Sequence, residues 1–272
     1  MNKGLLKKLG LIVAIGAMAI SIVGCAGNKN GKETASVLES IKQKGKLVVG
    51  TSADYPPYEF HKEVGGKDQI VGFDISIAKS LAEDLGVELQ INDMDFDGLL
   101  IALQAGKVDM VFAGMTPTDE RKQNAEFSDI YYTAQHGFIV RKGEEGNIKS
   151  IDDLKDKKIG VQKGSIQEKL ANEKIPDAEK KALGKVTDLV LDLKNNKVDA
   201  ILVELPVAEF NCEKNSDIAL TNVVLEDSEG GSAIAMSKGS DDLKGEINKT
   251  IQKLKDEGKI DKFVIEANEM VE

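Results

Sequence analysis

The chain has 272 residues, with 36 lysines and arginines against 46 aspartates and glutamates, two histidines, two cysteines and no tryptophan. A net charge of −10 argues against a nucleic-acid partner. Two cysteines cannot build a disulfide framework, and His61 and His136 have no neighbours at metal-ligand spacing.

Residues 1–24 differ from the rest. Lys3, Lys7 and Lys8 precede an apolar run from Leu9 to Val23, broken only by Gly10, Gly16 and Ser21. The run is too short and wrongly flanked for a standard membrane span and reads as a secretory leader. The small residue before Cys25 resembles a bacterial lipobox, which implies lipidation of Cys25 after cleavage. A plain leader or a single membrane anchor is the alternative. Residues 25–36 read as a polar tether. Cys212 is expected to be a buried, small apolar residue.

Val37–Lys44 predicts a short helix and Lys46–Thr51 a strand. The strand ends at Ser52-Ala53-Asp54 and runs into Tyr55-Pro-Pro-Tyr58, a stiff loop that would hold its rings at the carboxyl edge of a sheet. Tyr55 is expected at a ligand and Tyr58 in packing. Ile75, Ala78, Leu81, Ala82 and Leu85 recur at helical spacing, with Gly86 as the stop and Asp74 as the expected N-cap. A strand follows over Val87–Ile91. Asp97 is expected to cap the next helix, and Phe96 before it is either a core plug or a second clamping ring.

Asp109–Arg121, DMVFAGMTPTDER, predicts a strand broken at Gly114, a turn through Thr116–Asp119, and Arg121 just beyond it. Free N–H groups, hydroxyls and one guanidinium suit a small carboxylate, which arginine grips through two parallel hydrogen bonds. A capped helix with a surface arginine is the competing reading. Leu103-Gln-Ala-Gly-Lys-Val-Asp-Met-Val-Phe112 matches Leu193-Lys-Asn-Asn-Lys-Val-Asp-Ala-Ile-Leu202, an internal repeat suggesting two similar lobes. Phe127–Tyr132 and His136–Arg141 are expected to carry the chain between lobes. Lys158–Gln162 predicts a strand, and Gly164-Ser165 a second helix start able to seat an anion. Glu204 ends the second-copy strand. Asp241–Glu257 and a final segment from about Asp261 to Glu269 predict helices. The alternation of strands and helices gives an α/β class with mainly parallel sheets.

No HExxH, CxxC, GxSxG or P-loop occurs, and no cofactor is expected. Binding fits the residues better than catalysis. A small zwitterion needs a cation at one end, an acid at the other and rings between, roles that Arg121, Glu204, Tyr55 and Phe96 can fill.

The ordered stretches ADYPPYEF, GFDISIAKSLAEDLG, DFDGLLIALQAGKVDMVFAGMTPTDERK, FSDIYY, IGVQKGSIQE and KVDAILVE resemble the polar amino-acid solute-binding proteins of ABC importers, in their Gram-positive lipoprotein form. The resemblance implies a type II periplasmic-binding-protein fold, two α/β lobes joined by a two-strand hinge, with lobe 1 over 37–135 plus 229–272 and lobe 2 over 136–228. It implies Arg121 on the ligand α-carboxylate with Ala113, Gly114 and Thr116 beside it. Ser165, Ile166 and Gln167 would supply contacts from the second lobe, and Glu204 would hold the α-ammonium. Tyr55 and Phe96 would be the clamping rings. The side-chain reader of some basic amino-acid binders falls at Ser52, leaving Asp54 or Gln162 as the alternative reader. The implied partners are an L-amino acid, the transmembrane subunits of an ABC permease and the membrane through the N-terminal lipid, for a protein expected as a monomer on the extracytoplasmic face. The alternative is an enzyme on this fold, a dehydratase of prephenate-like acids with Glu204 as its acid or base.

Overall fold

The structure, a computed structural model, describes residues 36–226 and 230–270. The leader, Cys25, the tether up to residue 35 and the expected lobe boundary at 228/229 lie outside the described residues.

The chain begins with α1 (Val37–Lys44), capped by a reciprocal Ser36/Glu39 box and stopped by Gly45. Next come β1 (Lys46–Thr51), β2 (Asp54–Tyr55), the hairpin β3 (Glu59–Val64) and β4 (Lys67–Val71), α2 (Phe73–Leu85) and β5 (Glu88–Asp93). A 3-10 turn at Phe96–Gly98 leads into α3 (Leu99–Gln104), β6 (Met110–Val111), α4 (Asp119–Asn124) and β7 (Glu126–Phe127). A second set follows: β8 (His136–Arg141), β9 (Lys158–Gln162), α5 (Ile166–Lys174), β10 (Glu179–Leu183), α6 (Val186–Lys194), β11 (Ala200–Glu204), α7 (Leu205–Lys214) and β12 (Ile218–Leu225). The chain then returns as β13 (Ala235–Met236), α8 (Asp241–Asp256) and α9 (Lys259–Glu269).

The strands form two five-stranded sheets, ordered β5-β1-β6-β13-β7 and β10-β9-β11-β8-β12, and a three-stranded antiparallel sheet, β2-β3-β4. Both five-stranded sheets are mixed rather than mainly parallel. β1 runs parallel to β5 and β6, and β9 to β10 and β11. β13 is antiparallel to β6 and β7, and β8 is antiparallel to β11 and β12, because these strands enter from the crossings between sheets. Those crossings touch: Ser232 N–H donates to the Tyr132 carbonyl at 2.8 Å, and Tyr131 N–H donates to the Ser232 carbonyl at 3.0 Å. The passage between sheets is therefore residues 128–135, while the expected connector His136–Arg141 is a strand of the second sheet.

The internal repeat is structural as well as sequential. Asp109 N–H donates to the Val48 carbonyl and Asp199 N–H to the Lys158 carbonyl, both at 2.7 Å. Each carboxylate then accepts an N–H from the same partner residue, Val48 at 2.7 Å and Lys158 at 2.9 Å. The same register makes Ser52 equivalent to Gln162, and Gly114 equivalent to Glu204.

The core follows from helical and strand periodicity. Leu243, Ile247, Ile251 and Leu254 of α8 recur at helical spacing and are all buried. Each such side chain contributes about 1.5–3 kcal/mol of hydrophobic stabilisation. They share one cluster with Phe73 and Leu81 of α2, which continues through Tyr55 and Tyr58 to Val186 and Leu189 of α6.

Candidate functional site

The carboxyl ends of the central strands of both sheets converge. Tyr55, Phe96, Ala113, Gly114, Thr116, Arg121, Gln162, Ser165, Ile166 and Gln167 line one cavity of about 10 Å³. That volume holds about one water, so taking in an amino acid requires the lobes to part or the side chains to move.

The loop after β6 supplies Ala113, Gly114 and Thr116. Thr118 caps α4, its hydroxyl accepting the Arg121 N–H at 3.2 Å. This turn fixes where the arginine side chain starts. The Arg121 guanidinium donates to the Thr116 carbonyl at 2.7 Å and to the Gly164 carbonyl at 2.9 Å, and lies 5.3 Å above the Phe96 ring. Phe96 is thus both a buried plug and a wall of the cavity. On the opposite side Ser165 caps α5 by accepting the Glu168 N–H at 3.2 Å, leaving Ile166 and Gln167 in the first turn.

The other end is acidic. The Tyr58 hydroxyl donates to the Glu204 carboxylate. Tyr58 is fully buried against Phe73 and Tyr132, as expected for a packing ring, yet its hydroxyl also holds this carboxylate. The Tyr55 hydroxyl accepts the Gln167 amide at 3.1 Å and the Glu204 N–H at 3.2 Å. Ser52 and Glu204 do not line the cavity. Ser52 is buried and donates to Asp54 at 2.5 Å.

Sequence reasoning misplaced two caps. Gly72 occupies the N-cap place of α2, and Asp74 lies inside the first turn, fully buried. Its carboxylate accepts the Gly114 N–H at 3.0 Å and the Tyr131 hydroxyl at 2.8 Å, so it ties the cavity loop to the crossing segment. Asp97 sits in the 3-10 turn and pairs with Lys163 of the second lobe at 2.8 Å, while Gly98 precedes α3. Cys212 is half-buried rather than buried, and its thiol is pushed up to about 11 chiefly by burial.

Glu59 was not singled out by sequence. It is 1% exposed, and burial together with the Asp74, Asp54 and Glu204 carboxylates pushes it well above the usual range. Asp74 is raised to about 6, mainly by burial. Both carboxyls bind protons more tightly folded than unfolded, so their contribution to stability is full below their unfolded pKa values and is lost as pH rises through the folded ones. Glu59→Gln mimics the protonated form. Its melting temperature is expected to exceed that of the parent at pH ~8, with the difference vanishing near pH ~4. A difference that stays constant across that range defeats the assignment.

Two α/β lobes facing each other across a lined cavity, with a guanidinium at one end and buried acids at the other, define a two-lobed periplasmic-type binding protein. Among the described residues there is no cluster able to hold a metal ion, and no helix is long and apolar enough to cross a membrane. Residues 47–266 match the family described as bacterial extracellular solute-binding proteins, family 3. The chain is 40% identical over 263 residues to the arginine-binding extracellular protein ArtP of Bacillus subtilis, covering 95% of this chain and 96% of the relative. It is 32% identical to the L-cystine-binding protein TcyJ of Escherichia coli, covering 93% of each. The crystal structure of the Streptococcus pneumoniae amino-acid ABC transporter substrate-binding protein AbpA, bound to L-arginine, superposes with a TM-score of 0.83 at 44% identity, over 86% of this chain and 98% of that one.

The chain belongs to the bacterial extracellular solute-binding proteins, family 3. It is a polar amino-acid-binding protein of ABC import rather than an enzyme, and the dehydratase reading gives way to that of its relatives.

Proposed function

We propose that this protein captures a cationic L-amino acid, arginine foremost, and delivers it to the transmembrane subunits of an ABC permease. The observation that carries the reading is Arg121. Its guanidinium lines the cavity over the Phe96 ring, on hydrogen bonds to carbonyls of both lobes. In this reading Arg121 grips the α-carboxylate beside Ala113, Gly114 and Thr116, and Glu204 takes the α-ammonium. Tyr55 and Phe96 sandwich the aliphatic stem, while Gln162, Ser165, Ile166 and Gln167 close from the second lobe, with Ser52 behind the cavity wall. Arginine is favoured because ArtP is described as arginine-binding and AbpA was crystallised with L-arginine. Lobe 1 over 37–135 plus 229–272, lobe 2 over 136–228, a leader ending at 24, a lipid on Cys25 and a monomer on the extracytoplasmic face complete the proposal.

The test is a melting-temperature panel of the soluble form starting after Cys25, stripped of ligand by unfolding and refolding, against the twenty amino acids plus cystine and ornithine. A ligand at ~100 times its Kd stabilises the folded state by about 2.7 kcal/mol. At about 2–4 °C per kcal/mol for a chain of this size, arginine should raise the melting temperature by roughly 5–11 °C. No shift with any amino acid sinks the reading and redirects the search to dicarboxylates and opines.

A further inference from the structure

We infer that Glu59 and Asp74 form one proton-sharing carboxyl pair that positions the loop of residues 113–116, so that capture of the amino acid is coupled to the proton between them. The inference rests on the amino-acid reading above and concerns two side chains that line no part of the ligand cavity.

Backbone docking assembles the pair. Asp74 N–H donates to the Tyr58 carbonyl at 3.0 Å, and Gly72 packs so closely on Tyr58 and Glu59 that its place has no room for a Cβ. The first turn of α2 is thereby set against the start of β3, and the two side chains meet at 1% and 0% exposure. Their carboxyls hydrogen-bond to each other. Two carboxylates cannot do this, since neither carries a hydrogen, so one proton lies between them. The remaining contacts say where it sits. Asp74 Oδ2 accepts the Gly114 N–H at 3.0 Å and the Tyr131 hydroxyl at 2.8 Å, the surroundings of an ionised acceptor. Apart from the contact between the two carboxyls, Asp74 Oδ1 and both oxygens of Glu59 have no hydrogen-bond partner. Glu59 is therefore the neutral donor and Asp74 Oδ1 its acceptor. A carboxylate at Glu59 would have lost its water with nothing in return, whereas the acid form has a use for its one hydrogen.

The surrounding charge favours the same assignment. Burial first, then Asp74, Asp54 of β2 and Glu204 of β11 hold Glu59 well above the usual carboxylate range. Burial raises Asp74 to about 6, against hydrogen bonds from Gly114, Tyr131 and Glu59. Among the described residues no charge from α8, α9, β4 or β5, which also pack on α2, shifts it. The other titratable groups at the pair are the Tyr55 and Tyr131 hydroxyls, both pushed upward chiefly by burial and so neutral.

The coupling to capture runs through Gly114. Its N–H is taken by Asp74, so what the pair fixes is the position of a loop. Ala113, Gly114 and Thr116 of that loop wall the cavity, and the Thr116 carbonyl accepts the Arg121 guanidinium at 2.7 Å. Losing the shared proton leaves two carboxylates in contact in a dry interior. Their repulsion acts on Asp74, and its displacement takes it off Gly114 and Tyr131 and loosens the seat of the ligand carboxylate. By linkage, a ligand that needs the loop in place tightens the pair's hold on its proton. Binding then takes up a proton, and affinity falls as pH rises through the folded pKa of the pair.

Calorimetry with L-arginine on the parent, Glu59→Gln and Glu59→Leu tests this. Glu59→Gln keeps an N–H donor for Asp74 but has no titrating proton, and is expected to bind within ~3-fold of the parent at pH ~7. Glu59→Leu gives Asp74 no donor and is expected to bind at least ~10-fold more weakly. Between pH ~7 and pH ~9.5 the ratio of parent to Glu59→Gln affinity should fall by ~10-fold or more. The ammonium of the ligand titrates equally in both and cancels. Heats in two alkaline buffers of different ionisation enthalpy should show more proton uptake by the parent than by Glu59→Gln. In ligand-free protein at neutral pH, the infrared spectrum of the parent should carry a protonated-carboxyl C=O band that Glu59→Gln lacks. A ratio that stays flat with pH overturns the coupling, as does a Glu59→Leu protein that binds like the parent. A missing band in a parent that binds arginine overturns the shared proton. Should Glu59→Leu fail to fold, the pH comparison of the parent with Glu59→Gln decides alone. A parent that shows the band but binds no amino acid overturns the amino-acid reading, and the coupling with it, while leaving the shared proton standing.

Discussion

Arg121→Ala is expected to weaken amino-acid binding by at least ~100-fold. Removing one member of a buried ion pair costs about 3–5 kcal/mol, because the partner left behind has lost both water and counter-charge. At about 1.4 kcal/mol per decade that is two to three and a half orders of magnitude. The effect should fall on affinity rather than on folding. α4 is six residues long with no buried member, and the arginine side chain itself is only part-buried. Arg121→Lys should recover only part of the loss, since an ammonium cannot make the two parallel bonds of a guanidinium. Calorimetric affinity near that of the parent for Arg121→Ala removes this residue from the carboxylate site.

Gly72→Ala is expected to lower stability by about 3–5 kcal/mol, combining strained backbone and overpacking. Gly72 has φ 130° and ψ 173°, a region that side-chain-bearing residues rarely enter. A Cβ built there would lie 2.1 Å from the Tyr58 carbonyl oxygen, a backbone atom that cannot swing away. That carbonyl accepts the Asp74 N–H at 3.0 Å, so relief of the clash would pull on the segment carrying Tyr58 and on α2 together. A melting temperature about 6–20 °C lower follows at this chain length. A shift of only a degree or two would mean that β3 and the start of α2 yield more easily than their packing implies. Ligand affinity per folded molecule should change less, because Gly72 does not line the cavity.

The repeat, the strand ends and the arginine loop were legible because each is a local pattern. The Lys-Val-Asp turn, the glycine after the strand and the Thr118 cap are written within a few residues. Ten of the twelve residues expected at the ligand line one cavity, and the order of elements accounts for those that follow β6 and β9 at the carboxyl ends of their strands. Asp74 was misread for a reason that is equally physical. An aspartate at a helix start is usually a cap, and its inward direction depends on Gly114 and Tyr131, forty and fifty-seven residues away. Glu59 lies between a tyrosine and a phenylalanine in an extended stretch, where the local pattern does not tell a buried carboxyl from an exposed one, and the packing of β3 against α2 buries it. β10 escaped notice because its sequence, Glu-Lys-Lys-Ala-Leu, is that of a charged edge strand, and it lies at the outer edge of its sheet.

The order of strands in the first sheet has a consequence for how the chain acquires its shape. β13 pairs with both β6 and β7, yet it follows them by more than a hundred residues. The second sheet is drawn from one unbroken stretch, β8 to β12, and has all its strands at hand early. The first must wait with a gap until Ala235 and Met236 arrive, and α8 and α9 then close over α2. Long-range closure of this kind is slow, since the entropy of the intervening loop is lost before the pairing compensates. The lobe that begins first is therefore the one that finishes last, and during that interval its strand edges are the part of the nascent molecule most open to mispairing.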